Sequence, residues 1–135
     1  MVLWDNIYQQ YEQLFPTTGT TYRVIGCDRG WYNIVQNVCK IFAQYQKNNR
    51  YSQNSQIEPI QIVQIKEKFG VMRIYIHGAD MYTKAIVDFA QTISAETCEY
   101  CGKRATLNKT KTGWLKTICE ECLKIEIDTE KASPY

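Results

Sequence analysis

A single histidine, His77, is all this sequence holds, and that scarcity removes whole classes of chemistry. Multi-histidine metal sites are excluded, and a Ser-His-Asp or Cys-His enzyme is disfavoured because both need a committed imidazole. Seven glycines are present, yet none falls in a glycine-rich nucleotide loop. Long apolar runs are missing as well. No stretch approaches the roughly 18 residues of a membrane span, and the opening Met-Val-Leu-Trp-Asp-Asn has no basic segment ahead of an apolar one. These absences predict a cytoplasmic protein with no membrane partner. Charge of one sign is also scarce: a net +2 means that any basic site has to be local. The carboxylates Glu58, Glu67 and Asp80 are scattered and form no readable nuclease cluster. No catalytic residue is assigned, and the expectation is a protein that is not an enzyme.

What is present is a hydrophobic content of 44%, enough for the core of one modest domain of 135 residues with a small appended module. Ile7, Tyr11, Leu14 and Phe15 recur at helical spacing over residues 5–15, with Asp5 placed to cap the start and Pro16 to stop the run. Thr17 to Cys27, with Tyr22, Val24 and Ile25, reads as a short strand. Trp31, Ile34, Val35, Val38, Cys39 and Phe42 define a second amphipathic helix reaching about Gln46. The polar, aperiodic stretch from Gln44 to Gln56 reads as an exposed loop. After Gly78-Ala-Asp80, a third helix carries Tyr82, Ile86, Phe89, Ala90 and Ile93 as its buried stripe. The predicted fold class is α+β, a small antiparallel sheet packed by about three helices, followed by a C-terminal zinc ribbon. The expected boundaries are an α+β domain over 1–97, the ribbon over 98–127 and a tail over 128–135.

The cysteines carry the clearest chemistry. Cys98-Glu-Tyr-Cys101-Gly and Cys119-Glu-Glu-Cys122 have the paired spacing of a four-thiolate site, and Gly102 permits the tight turn after the first pair. Disulfides suit neither the paired spacing nor the absence of an export signal. Four thiolates fill a tetrahedral shell, so the expected cofactor is a structural zinc. Ala105-Thr-Leu-Asn and Trp114-Leu-Lys-Thr-Ile118 resemble two ribbon strands, with Leu123, Ile125 and Ile127 alternating as a third. Residues 98–127 resemble the zinc-ribbon family, a scaffold used for both protein and nucleic-acid contacts. Cys39 reads as core, while Cys27 is left open. At the second helix's start, Asp28, Arg29, Trp31 and Tyr32 read either as an anion-binding pocket edge or as an N-cap beside a core tryptophan.

The strongest strand signal is Ile60-Gln-Ile-Val-Gln-Ile-Lys-Glu-Lys-Phe-Gly-Val-Met-Arg-Ile-Tyr-Ile76. A two-residue loop at Phe69-Gly70 pairs Lys68 with Val71, Glu67 with Met72, Lys66 with Arg73, Ile65 with Ile74, Gln64 with Tyr75 and Val63 with Ile76. One face is then apolar and the other basic. Lys66 across from Arg73 destabilises a sheet by roughly 0.2–1 kcal/mol, a cost folding does not require and an anion would reverse. The competing reading is a solvated face neutralised by Glu58 or Glu67.

Gly-Trp-Tyr-Asn-Ile-Val at 30–35, the segment 63–75 containing Lys-Glu-Lys-Phe-Gly, and the Cys-x-x-Cys-Gly ribbon together resemble a family of small, uncharacterised bacterial and phage proteins. The resemblance spans roughly residues 23–122, with Val71 standing where a second glycine would be expected. It implies a mobile-element setting, in which accessory proteins bind a host protein, a nucleic acid or a nucleotide signal. The reading that follows is a non-enzymatic binding protein whose Lys66, Lys68, Arg73 and Tyr75 engage a phosphate-bearing ligand, a nucleotide or nucleic acid. The alternative is a protein-interaction module, such as an inhibitor of a host defence factor. Oligomeric state is left open.

Overall fold

The computed structural model describes residues 3–16, 24–50 and 58–125. The chain opens with α1 (Asp5–Gln10) and a 3-10 turn over Glu12–Leu14, which send Ile7, Tyr11, Leu14 and Phe15 into the core. Asp5 does not cap this helix. It is the first helical residue, and Trp4 occupies the cap position without a side-chain hydrogen bond. Strand β1 is only Ile25–Gly26, and the earlier part of the expected strand, including Tyr22, lies outside the described residues.

A 3-10 turn over Arg29–Trp31 leads into α2 (Tyr32–Arg50). Its apolar stripe is the expected one: Trp31, Val35, Val38, Cys39 and Phe42 are all buried. The helix runs on through residues 44–50, which the lack of hydrophobic period had suggested were loop. Lys, Gln and Asn at an exposed helix end carry no apolar period while still fitting helix, so composition alone misreads them.

The centre of the sheet is β2 (Gln61–Lys68) against β3 (Val71–His77), antiparallel, with β1 adding to the other side of β2 in parallel. Lys68 opposes Val71, Glu67 opposes Met72, Lys66 opposes Arg73, Ile65 opposes Ile74 and Gln64 opposes Tyr75. Beyond that point the expected pairing of Val63 with Ile76 is corrected: a bulge between Ile62 and Gln64 sets Ile62 opposite Ile76. The reason is burial. In strict alternation Ile62 and Ile65 would point to opposite faces, and the extra residue resets the phase so that both are fully buried. Phe69 and Gly70 both have positive φ, 54° and 83°, as a mirror-type two-residue turn demands.

Helix α3 (Met81–Ser94) starts on a capping box in which Asp80 accepts the Thr83 N–H at 2.9 Å and Thr83 Oγ1 accepts the Asp80 N–H at 2.9 Å. Its buried face is turned from the expected one. Thr83, Ala90 and Ser94 face inward with Ile86 and Val87 partly buried, whereas Tyr82 and Phe89 are exposed. Small residues face inward because α3 lies along the outer edge of β3. There Ser94 Oγ accepts the Met72 N–H at 2.9 Å and Gln91 Oε1 accepts the Ile74 N–H at 3.2 Å, closing an edge that would otherwise recruit another strand. Tyr82 instead stacks on Tyr45 of α2, with centroids 4.3 Å apart.

The fold is α+β, as expected: a three-stranded sheet packed by helices, and a separate antiparallel pair, β4 (Thr106–Lys109) with β5 (Leu115–Ile118). The expected third ribbon strand is corrected, because residues 120–125 are helical; Ile127 lies outside the described residues. The second cysteine pair explains this: Cys122 N–H donates to Cys119 Sγ at 3.5 Å and Leu123 N–H to the Cys119 carbonyl at 2.9 Å, which winds the chain into a helical turn. The expected tail, 128–135, lies outside the described residues.

Asp80 gives a test of the α3 cap. Burial raises its carboxyl pKa, but hydrogen bonds from the Tyr45 hydroxyl and from Thr83 outweigh this and hold it below its usual 3.8. Its stabilisation is therefore complete above that value and fades as pH falls through the lowered one. Asp80→Ala should cost about 1 kcal/mol in urea unfolding at neutral pH. The difference from the unsubstituted chain should shrink below the usual aspartate range.

Candidate metal centre and the basic hairpin face

Four sulfurs converge where the chain folds back after α3. The sulfurs of Cys98, Cys101, Cys119 and Cys122 all lie within 4.8 Å of one another, and Cys101 Sγ is 3.6 Å from Cys119 Sγ. A tetrahedral ion with bonds of about 2.3 Å needs sulfur–sulfur edges of about 3.8 Å. The cluster is therefore assembled at the separation a metal ion requires. Two local devices build its first half: Gly102, at φ 85°, donates its N–H to the Cys98 carbonyl at 2.9 Å, and the Cys98 N–H reaches the Lys103 carbonyl at 2.7 Å. On the second half, the Cys122 N–H donated to Cys119 Sγ is the leading cause that lowers that thiol, to about 7. All four candidate donors are cysteines, and four thiolates would fill a tetrahedral shell.

This knuckle is docked on the helical layer. Glu99, only 4% exposed, takes the Gly30 N–H on its carbonyl at 2.7 Å and the Asp28 N–H on Oε2 at 3.1 Å. Trp31 Nε1 donates to the Thr97 carbonyl at 2.8 Å. A Cβ at Gly30 would overlap the Cys98 and Glu99 backbone, so only glycine lets the surfaces close. Asp28 accepts the Arg29 N–H at 2.8 Å and Trp31 is fully buried, which makes this segment a cap and a core tryptophan, occupied by the knuckle.

The hairpin tip is fastened to the ribbon in turn. Thr117 Oγ1 donates to the Gly70 carbonyl at 2.6 Å, and Glu67 Oε2 accepts the Gly70 N–H at 2.8 Å. Between them Lys116 Nζ lies 3.5 Å from Glu99 Oε1 and 3.8 Å from Glu67 Oε1. Burial raises the Glu99 pKa, with Lys116 opposing that shift. This cluster is not legible from the residues alone, since its three members are far apart in the chain and each looks like an ordinary surface charge.

Glu67 therefore points to the ribbon and leaves the opposite face of the hairpin without it. That face carries Lys66, Lys68, Arg73 and Tyr75, with Lys66 Nζ 5.6 Å from the Tyr75 ring centroid. Among the described residues no ion pair joins Lys66, Lys68 or Arg73 to a carboxylate. His77 ends β3 and is exposed. Among the described residues no helix is long and apolar enough to cross a membrane. No protein-family model, curated protein or solved structure matches this chain.

Cys39 is fully buried and Cys27 half-buried, and burial pushes both thiols up to about 12. The metal-loaded protein should resist alkylation at pH 8. After chelation Cys98, Cys101, Cys119 and Cys122 should label within minutes while Cys39 stays unmodified, as peptide mass spectrometry will read. Cys27, beside Glu99, should react only if the knuckle leaves α2.

Proposed function

We propose that this chain is a binding protein, not an enzyme, that holds a structural zinc ion at Cys98, Cys101, Cys119 and Cys122 and takes a phosphate-bearing ligand on its basic hairpin face. The observation that carries the second part is Lys66 directly opposite Arg73, with the nearest acidic neighbour in sequence, Glu67, committed to Lys116 and Gly70. Sheet stability favours opposite charges or neutral side chains at such a pair. A phosphate lying across an ammonium and a guanidinium converts the repulsion into two charge-assisted contacts, and the Tyr75 ring beside Lys66 offers a stacking surface. Zinc is the metal proposed because an all-thiolate tetrahedral set selects it over harder cations.

The ribbon supports this face without taking part in chemistry. Thr117 of the ribbon donates to the Gly70 carbonyl while Glu67 of β2 accepts the Gly70 N–H; together they hold the two-residue turn, and the turn sets the register that puts Lys66 against Arg73. A phage or mobile-element setting, with a nucleotide or nucleic acid as the ligand, belongs to the same proposal.

Native mass spectrometry of the intact chain should show one zinc ion, lost on acidification together with ribbon structure. The hairpin reading is tested by Lys66→Glu combined with Arg73→Glu. The double variant should keep its circular dichroism and its thermal midpoint within a few degrees, yet lose at least ten-fold in affinity for a nucleotide or oligonucleotide bound by the unsubstituted chain. Unchanged affinity in a folded double variant would refute the reading.

A further inference from the structure

Besides the like-charged pair, the hairpin departs from what folding favours at one other place, next to it. Phe69 occupies a positive-φ turn position that Asn, Asp or Gly normally fills, and among the described residues it is the one non-glycine with positive φ. It is also 66% exposed, so burial does not offset the strain. The turn is not loose: Gly70 is held through both its N–H and its carbonyl, so the ring projects from a fixed base. A second exposed aromatic has the same character. Trp114, 68% exposed, follows a turn in which Thr110 accepts the Trp114 N–H on Oγ1 and donates its own N–H to the Trp114 carbonyl at 2.8 Å.

Two exposed leucines lie on the ribbon between these two turns. Leu107 opposes Thr117 and Lys109 opposes Leu115, which puts all four on one ribbon face, the face that holds Thr117 against Gly70. Leu107 and Leu115 are exposed on this face, Leu107 beside Gly70 at the hairpin tip, and Trp114 immediately precedes Leu115 just outside β5. The charges here are of one sign. Lys68 Nζ lies 5.8 Å from the Phe69 centroid, and no carboxylate is ion-paired to Lys68, Lys109 or Lys111 among the described residues. Rigid exposed aromatics flanked by unneutralised lysines are the arrangement on which unpaired bases stack while cations follow the phosphates.

We propose that the phosphate-bearing ligand is single-stranded nucleic acid, with its backbone along Lys66, Arg73 and Lys68 and its bases on Phe69, Leu107 and Trp114. This rests on the reading of the hairpin face given above and extends it across the tip to the ribbon. A duplex keeps its bases stacked inside and cannot use the rings, and a mononucleotide cannot reach both surfaces.

Fluorescence anisotropy on the zinc-loaded full chain provides the test, with labelled oligo-dT and oligo-U of about ten nucleotides, a duplex of equal length, and ATP. The single strands should bind at least ten-fold tighter than duplex or ATP, with affinity falling steeply as salt rises. Phe69→Asn relieves the turn, so its thermal midpoint should hold or rise while affinity for single strands falls about ten-fold; Trp114→Ala should act in the same direction. Preference between oligo-dT and oligo-U identifies DNA or RNA. If ATP or duplex binds as tightly as the single strands, or if Phe69→Asn and Trp114→Ala leave affinity unchanged while the Lys66/Arg73 double reversal abolishes it, single-strand recognition is wrong and the hairpin reading survives. If no probe depends on Lys66 and Arg73, both fall.

Discussion

Glu99 is the point through which the pieces of this molecule are joined. It sits between the first two of the clustered cysteines, and it is bonded by main chain and side chain to the start of α2, by its own N–H to the Thr117 carbonyl, and by its carboxylate to Lys116. Lys116 passes the connection to Glu67 at the hairpin tip. Two carboxylates around one ammonium, all largely shielded from water, are expensive to assemble and more expensive to break, because removing one member strands the others. Such a cluster specifies how ribbon, helix and hairpin meet more than it adds net stability. Gly30, too close to the knuckle for any side chain, imposes the same requirement sterically.

The same contacts fall on one side of the hairpin. Glu67 meets the ribbon from the face it shares with Ile65 and Met72, because neighbouring residues on a strand point to opposite faces. Lys66 and Arg73 lie together on the other face, where among the described residues no carboxylate is ion-paired to them. The exposed Phe69 sits at the hairpin tip, on a turn whose glycine is pinned by Glu67 and Thr117.

Much of this was legible in the residues. The two Cys-x-x-Cys pairs announced their cluster because ligand spacing is a local constraint. The α2 stripe followed from a period of three and four, and the register of the hairpin tip from a single glycine beside alternating side chains. The failures share a cause. Tyr82 and Phe89 look like core on a helical wheel, but α3 meets a strand edge whose N–H groups need Ser94 and Gln91, and that demand rotates the helix. Leu123 and Ile125 alternate like a strand, yet the sulfur of Cys119 collects an N–H from Cys122 and winds the segment into a helix.

The sequence by itself determined the α+β class, the grouping of the four cysteines and the opposition of Lys66 and Arg73, since each depends on residues near in the chain or related by a fixed period. Only the tertiary structure decided that Glu67 meets Lys116 of the ribbon, that a bulge rescues Ile62, and that Asp28 and Trp31 receive the segment around the first cysteine pair. Those outcomes depend on groups brought together from distant positions, where burial makes every unpaired charge and backbone N–H costly and lets the packing choose which partner satisfies it.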